Sequence, residues 1–121
     1  MLNVTLQPNY GIAIFEFDGD ITAHDFSHAS SKIDGYLTLA GGLKGLIVCS
    51  EHWPQWQSYS AFTSHLQFIF SHQQYINKVA LISDDTSVEL VGSLLGMLLQ
   101  PTIKLFPSNA LEDSKYWILE D

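Results

Sequence analysis

The chain has no arginine. Its basic residues are five lysines, set against thirteen acidic residues for a formal net charge of −8. Nucleic acid is released from its counterions only by a basic footprint, so that class of partner is excluded. Anionic membrane surfaces are disfavoured on the same electrostatic ground. The lack of arginine also removes the planar fork that grips carboxylates and phosphates in two-point contacts. A single cysteine, Cys49, forbids an intrachain disulfide and gives no sign of an oxidising compartment. The first residues, Met1-Leu2-Asn3-Val4-Thr5, carry neither a basic nor an apolar leader pattern, so no signal peptide is expected. The longest apolar stretch, 88–99, is broken by Gly92, Ser93 and Gly96 and falls short of a membrane span. A cytoplasmic protein with no membrane span is the expectation.

What the chain does have is a core's worth of apolar residues. Of its 121 residues, 46% are hydrophobic and 15% charged, enough to fill one interior, so residues 1–121 are expected to form a single domain. Leu2, Val4 and Leu6 alternate with polar residues as in a half-buried strand. Pro8-Asn9 then turns the chain into a second strand over 11–17, which predicts an antiparallel hairpin. Thr22, with Asp25 three residues on, has the spacing of a helix start. Phe26, Ala29, Ile33, and Tyr36 or Leu37 continue on one helical stripe until Gly41-Gly42 ends it. Leu46-Ile47-Val48-Cys49 and Val79-Ala80-Leu81-Ile82 are apolar without alternation, as in strands covered on both faces. Helices are predicted over 58–72 and 86–99, a last strand over 102–106, and a closing helix that holds Ala110, Leu111, Tyr116, Trp117 and Leu119. The order β-β-α-β-α-β-α-β-α implies an α/β fold: a mixed, mostly parallel sheet of four to five strands with flanking helices.

This order, the strand that runs into Trp53-Pro54-Gln55-Trp56, the segment Asn77-Lys78-Val79-Ala80-Leu81-Ile82-Ser83-Asp84, and Phe106 ahead of Ala110 and Trp117-Ile118-Leu119 resemble the SpoIIAA-like family. That family is related to the STAS domains of anti-anti-sigma factors and sulfate-transporter tails. The resemblance implies a STAS-like sheet flanked by helices. Likeness of this fold to lipid-exchange domains implies a small apolar ligand as one occupant. True anti-anti-sigma factors are switched by phosphorylation of a serine after the central strand, in an Asp-Ser-Ser or Asp-Ser-Gly context. Here the matching region is Cys49-Ser50-Glu51-His52, which departs from that context, and Ser50 and Ser58 are the hydroxyls at hand. Where relatives carry an acid in the following helix, this chain has Thr63-Ser64-His65-Leu66.

Ligands of open α/β sheets bind beyond the carboxyl ends of the parallel strands, which directs attention to 17–22, 50–57 and 83–87. Trp53 and Trp56, with Tyr59 and Phe62 on the helix that follows, form either a cap on the core or an aromatic lip for a flat or apolar ligand. Helix 86–99 is apolar around most of its circumference, with Leu94 and Met97 among its large residues. Its second face needs a neighbouring helix, a second subunit or a lipid-like ligand to cover it. Asp84-Asp85 reads as a helix cap or as a hard-cation site. His24 and His28 are four apart on one helix face, and His65 and His72 are seven apart. Neither pair has a third metal ligand at a recognisable spacing. Cys49 closes an apolar run, as a packed thiol does, with His52 nearby. No nucleophile elbow, phosphate loop or dinucleotide fingerprint is present, and no cofactor is expected. The leading expectation is a non-enzymatic interaction or apolar-ligand module. A serine-phosphorylated regulator, or a hydrolase or metal enzyme built on His52, Cys49 or His24/His28, are the alternatives.

Overall fold

The computed structural model describes residues 2–17, 22–49, 76–84 and 102–120. These form strands β1 (Leu2–Gln7), β2 (Ile12–Phe17), β3 (Leu43–Cys49), β4 (Ile76–Ile82) and β5 (Thr102–Phe106), with helices α1 (Ala23–Ala40) and α2 (Leu111–Leu119). The predicted helices at 58–72 and 86–99 and the side chain of Phe26 lie outside the described residues. The sheet runs in the order β1-β2-β3-β4-β5. β1 is antiparallel to β2, and the remaining pairs are parallel. The mixed, mostly parallel α/β architecture expected from the sequence is the one observed. β3 and β4 each begin three residues before their apolar runs. Parallel neighbours on both sides hold Lys44 and Lys78 in extended conformation although neither is apolar.

Local chemistry explains each turn and end. In the hairpin, the Gln7 carbonyl accepts from the N–H groups of Tyr10 (3.1 Å) and Gly11 (3.0 Å), and Gly11 takes a left-handed φ of 69° that a side chain resists. α1 opens on a reciprocal cap. The Asp25 N–H donates to Thr22 Oγ1 at 3.1 Å, and the Thr22 N–H donates to Asp25 Oδ2 at 2.9 Å. Burial raises the Asp25 carboxyl pKa, but hydrogen bonds to the carboxylate from the Thr22 backbone and side chain, with smaller coulombic contributions, leave it below its ordinary value. α1 closes at Gly41, whose φ of 82° lets its N–H reach the Leu37 carbonyl at 2.8 Å.

Strand alternation sorts the core into two layers. Ala13, Phe15, Leu46, Val79 and Leu81 join Ala29 and Ile33 of α1 on one face. Ile12, Ile14, Ile47, Ala80 and Ile82 join Ile118 of α2 on the other. α2 lies close to the sheet because β3 has a glycine beneath it. A Cβ on Gly45 would fall 2.5 Å from Ile118 Cγ2 and 2.6 Å from its Cδ1, far inside contact distance. Ile118 is only 3% exposed and has no room to retreat. Its burial is worth about 1.5–3 kcal/mol.

The C-terminus of α2 is finished from the sheet. The helix has no basic residue in its last turn. Instead Lys78 of β4 donates from Nζ to the carbonyls of Trp117 (2.7 Å) and Glu120 (2.9 Å), placing a cation at the negative end of the helix. Ser114, fully buried, satisfies its hydroxyl by donating to the Leu111 carbonyl at 2.6 Å. Gly45→Ala is expected to destabilise the fold by about 1–3 kcal/mol, the usual cost of overpacking, read as a lower urea midpoint. Ile118→Val in the Gly45→Ala background should recover part of that loss. Additive losses in the double variant would show that the two residues do not meet.

Candidate functional site

The parallel register puts one residue from each strand in a row near the carboxyl edge. Glu16 pairs with Cys49, Cys49 with Ile82, and Ile82 with Phe106. Alternation turns this row toward the face that α2 covers. Beyond it, the chain leaves β3 at Cys49 from the middle of the sheet, with two strands on either side. β4 ends in Ser83-Asp84 and β5 in Pro107-Ser108.

Cys49 is half-buried at this edge. Burial, and then the neighbouring Glu16 carboxylate, push its thiol from an ordinary 9.0 up to about 11, against a smaller opposing pull from the Lys115 ammonium. The group is therefore a neutral thiol at physiological pH, which is the wrong charge state for a nucleophile or a soft-metal ligand.

Asp84 is engaged in a bridge between strand ends. Its Oδ1 accepts from the Ser108 N–H at 3.0 Å and its Oδ2 from the Ser108 hydroxyl at 2.5 Å. The Ser108 hydroxyl bond and then the backbone bond hold the carboxyl below its ordinary 3.8. The Ser83 N–H adds a bond to the Phe106 carbonyl at 3.1 Å. The exits of β4 and β5 are thus tied to each other. Asp84 was expected to cap a helix or bind a cation. Among the described residues its partner is Ser108, while Asp85 and helix 86–99 lie outside them.

A second cluster lies on the α2 face by β5. The Trp117 ring meets Phe106 with centroids 5.9 Å apart, and the Lys78 and Lys104 ammonium groups sit 5.2 and 5.9 Å from the Trp117 centroid. Lys104 is also 5.2 Å from the Phe106 centroid. Cation–aromatic attraction of this kind orders lysine side chains that would otherwise sweep solvent.

The sequence candidates divide sharply. Cys49 and Asp84 are placed at the edge as described. His24 and His28 are both exposed on α1. No group of three His, Cys, Asp or Glu side chains with metal-binding geometry occurs among the described residues. Trp53, Trp56, Tyr59, Phe62, Leu94, Met97, Ser50, Ser58, His52, His65 and His72 lie outside them. Sequence reasoning did not find Ser108, Glu16, Lys115 or the lysine–tryptophan cluster. A signal for Ser108 existed. It stands two residues past the end of β5, as Asp84 stands two past the end of β4, so adjacency of those strands places them side by side.

A mixed five-stranded sheet with a helix on each face defines the class of fold, and sequence comparison gives the family. The SpoIIAA-like family model matches residues 12–119, and the chain belongs to that family. Two solved structures share the fold. One is an uncharacterised protein of the DUF3478 family with a SpoIIAA-like fold from Shewanella loihica PV-4, 15% identical. Its TM-score is 0.73, over 98% of this chain and 92% of that one. The other is the Bacillus cell fate determinant SpoIIAA in its phosphorylated form, 12% identical. Its TM-score is 0.60, over 94% of this chain and 98% of that one. A search of curated proteins gives no match. No helix among the described residues is long and apolar enough to cross a membrane.

The thiol pKa gives a direct check on Cys49. At pH 8 its alkylation by iodoacetamide should run roughly a hundredfold slower than that of an unperturbed thiol, with the rate still rising past pH 10. Lys115→Met should slow it further, because the ammonium favours the thiolate. A plateau below pH 9 would contradict this environment.

Proposed function

We propose that this chain is a non-catalytic interaction module that also binds a small apolar ligand. Its working surface is the sheet's carboxyl edge where β3 ends. The observation that carries the reading is the central position of β3. The segment with Trp53, Trp56, Tyr59 and Phe62 starts from the middle of that edge, between Glu16 on one side and Ile82 on the other. Aromatic side chains delivered to a strand-end rim supply apolar area with two polar N–H handles, which suits a flat or lipid-like occupant. Leu94 and Met97 of segment 86–99 are the proposed second wall, and the same segment is the proposed contact for a partner or a second copy. The neutral Cys49 thiol and the Asp84 carboxylate occupied by Ser108 supply no nucleophile or base there, which favours binding over catalysis.

The experiment is native mass spectrometry of the purified protein beside the variant Trp53→Ala/Trp56→Ala. The wild-type protein should retain an apolar adduct that the double variant loses, with circular dichroism unchanged. If the wild-type protein carries no adduct, and takes none up from a fatty-acid mixture, the ligand reading fails.

A second reading has one observation in its favour: the fold is shared with a SpoIIAA solved in its phosphorylated form. On that reading Ser50 or Ser58 receives phosphate and the module releases a protein partner. Phosphopeptide mapping of protein isolated from its own cells should then find phosphate on one of the two. A loop that stays unmodified through growth and starvation would remove this reading.

A further inference from the structure

Among the described residues, the strand order leaves β1 and β5 with one neighbour each, and the two edges are treated differently. At β1, Lys32 of α1 reaches across and donates from Nζ to the Val4 carbonyl at 2.7 Å. That bond occupies a backbone acceptor on a strand with one neighbour and sets a positive charge there, a known guard against strand addition. β5 also has a lysine, Lys104, at its midpoint. This ammonium is drawn over the Phe106 and Trp117 rings, onto the α2 face and away from a guarding position.

Three further observations bear on what β5 can receive. Thr102, Lys104 and Leu105 are all exposed, and Leu105 is a large apolar residue at 36%. Lys104 has no carboxylate partner among the described residues, in a chain with thirteen acids. And β5 is five residues long, long enough to template a short strand.

We propose that the β5 edge binds an extended peptide segment of a protein partner, added as a sixth strand. The segment places a carboxylate beside Lys104 on the α2 face and an apolar residue beside Leu105 on the opposite face. Neighbouring residues of a strand point to opposite faces, so an acidic–apolar alternation is the matching pattern. A second copy of this chain is the poorer occupant. A two-fold antiparallel pairing centred on β5 sets Lys104 against Lys104, and like charges directly opposite are destabilising.

The probe is a capped ten-residue peptide of alternating valine and glutamate, titrated into isotope-labelled protein and followed by amide NMR. The controls are a valine–lysine peptide and the glutamate peptide N-methylated at alternate residues. Shifts and slowed exchange should concentrate on the amides of 102–106, and both controls should fail. Lys104→Met should weaken binding by about 2- to 5-fold, the worth of one cross-strand charge pair. Lys104→Glu should transfer the preference to the lysine peptide. Lys104 also lies over the Phe106 and Trp117 rings, so circular dichroism of both variants is the check that the fold is kept. Trp53→Ala/Trp56→Ala should bind the peptide unchanged, which separates this site from the tryptophan rim. The proposal is overturned if all β5 amides are already protected without peptide, or if the shifts map elsewhere. It also fails if they grow with protein concentration alone, which would identify a second copy.

Discussion

The contact between Gly45 and Ile118 governs the rest of the molecule. A parallel sheet covered on both faces needs a helix on each, and α2 is short, with nine residues. It reaches the sheet only because β3 withholds a side chain where Ile118 comes down. That approach then sets everything around it. The α2 C-terminus falls over Lys78, the Trp117 ring falls between two lysines, and Lys115 lies within electrostatic reach of Cys49. One missing methyl group therefore links helix docking, lysine placement and the charge state of a thiol at the carboxyl edge.

Much of the architecture was legible in the chain. Thr22 with Asp25, and Gly41 after Leu39, announce α1 because capping chemistry is local and reads directly from spacing. The hairpin was legible for the same reason. The start of β4 was not, since Lys78 enters it through neighbours that hold it extended, and hydropathy has no access to neighbours. The site was legible in part. Cys49 at the end of an apolar run was readable as a packed thiol. Its coupling to Glu16 and Lys115 depends on register and on the docking of α2, which bring together residues far apart in the chain. The bond from Ser108 to Asp84 was not legible for a related reason, since it needs a second strand end beside the first, while the Asp84-Asp85 capping expectation rests on residues outside those described.

The carboxyl edge is divided. On one side β4 and β5 are fastened by Asp84, Ser108 and the Ser83–Phe106 bond. On the other, β2 ends at Phe17 and β3 at Cys49. The fold is shared with SpoIIAA of Bacillus at 12% identity.

The bond from Lys78 to the end of α2 also has a temporal meaning. A nine-residue helix is too short to persist alone in water, where nucleation costs outrun the few hydrogen bonds gained. Its N-cap is Ala110, which offers no side-chain acceptor, and the cation at its far end comes from a strand about forty residues earlier. α2 therefore has no means of leading the assembly. It is the closing step, taken once β3 and β4 have paired and presented Gly45 and Lys78 together. During synthesis the face beneath α2 is not covered by that helix until residues 111–119 have emerged.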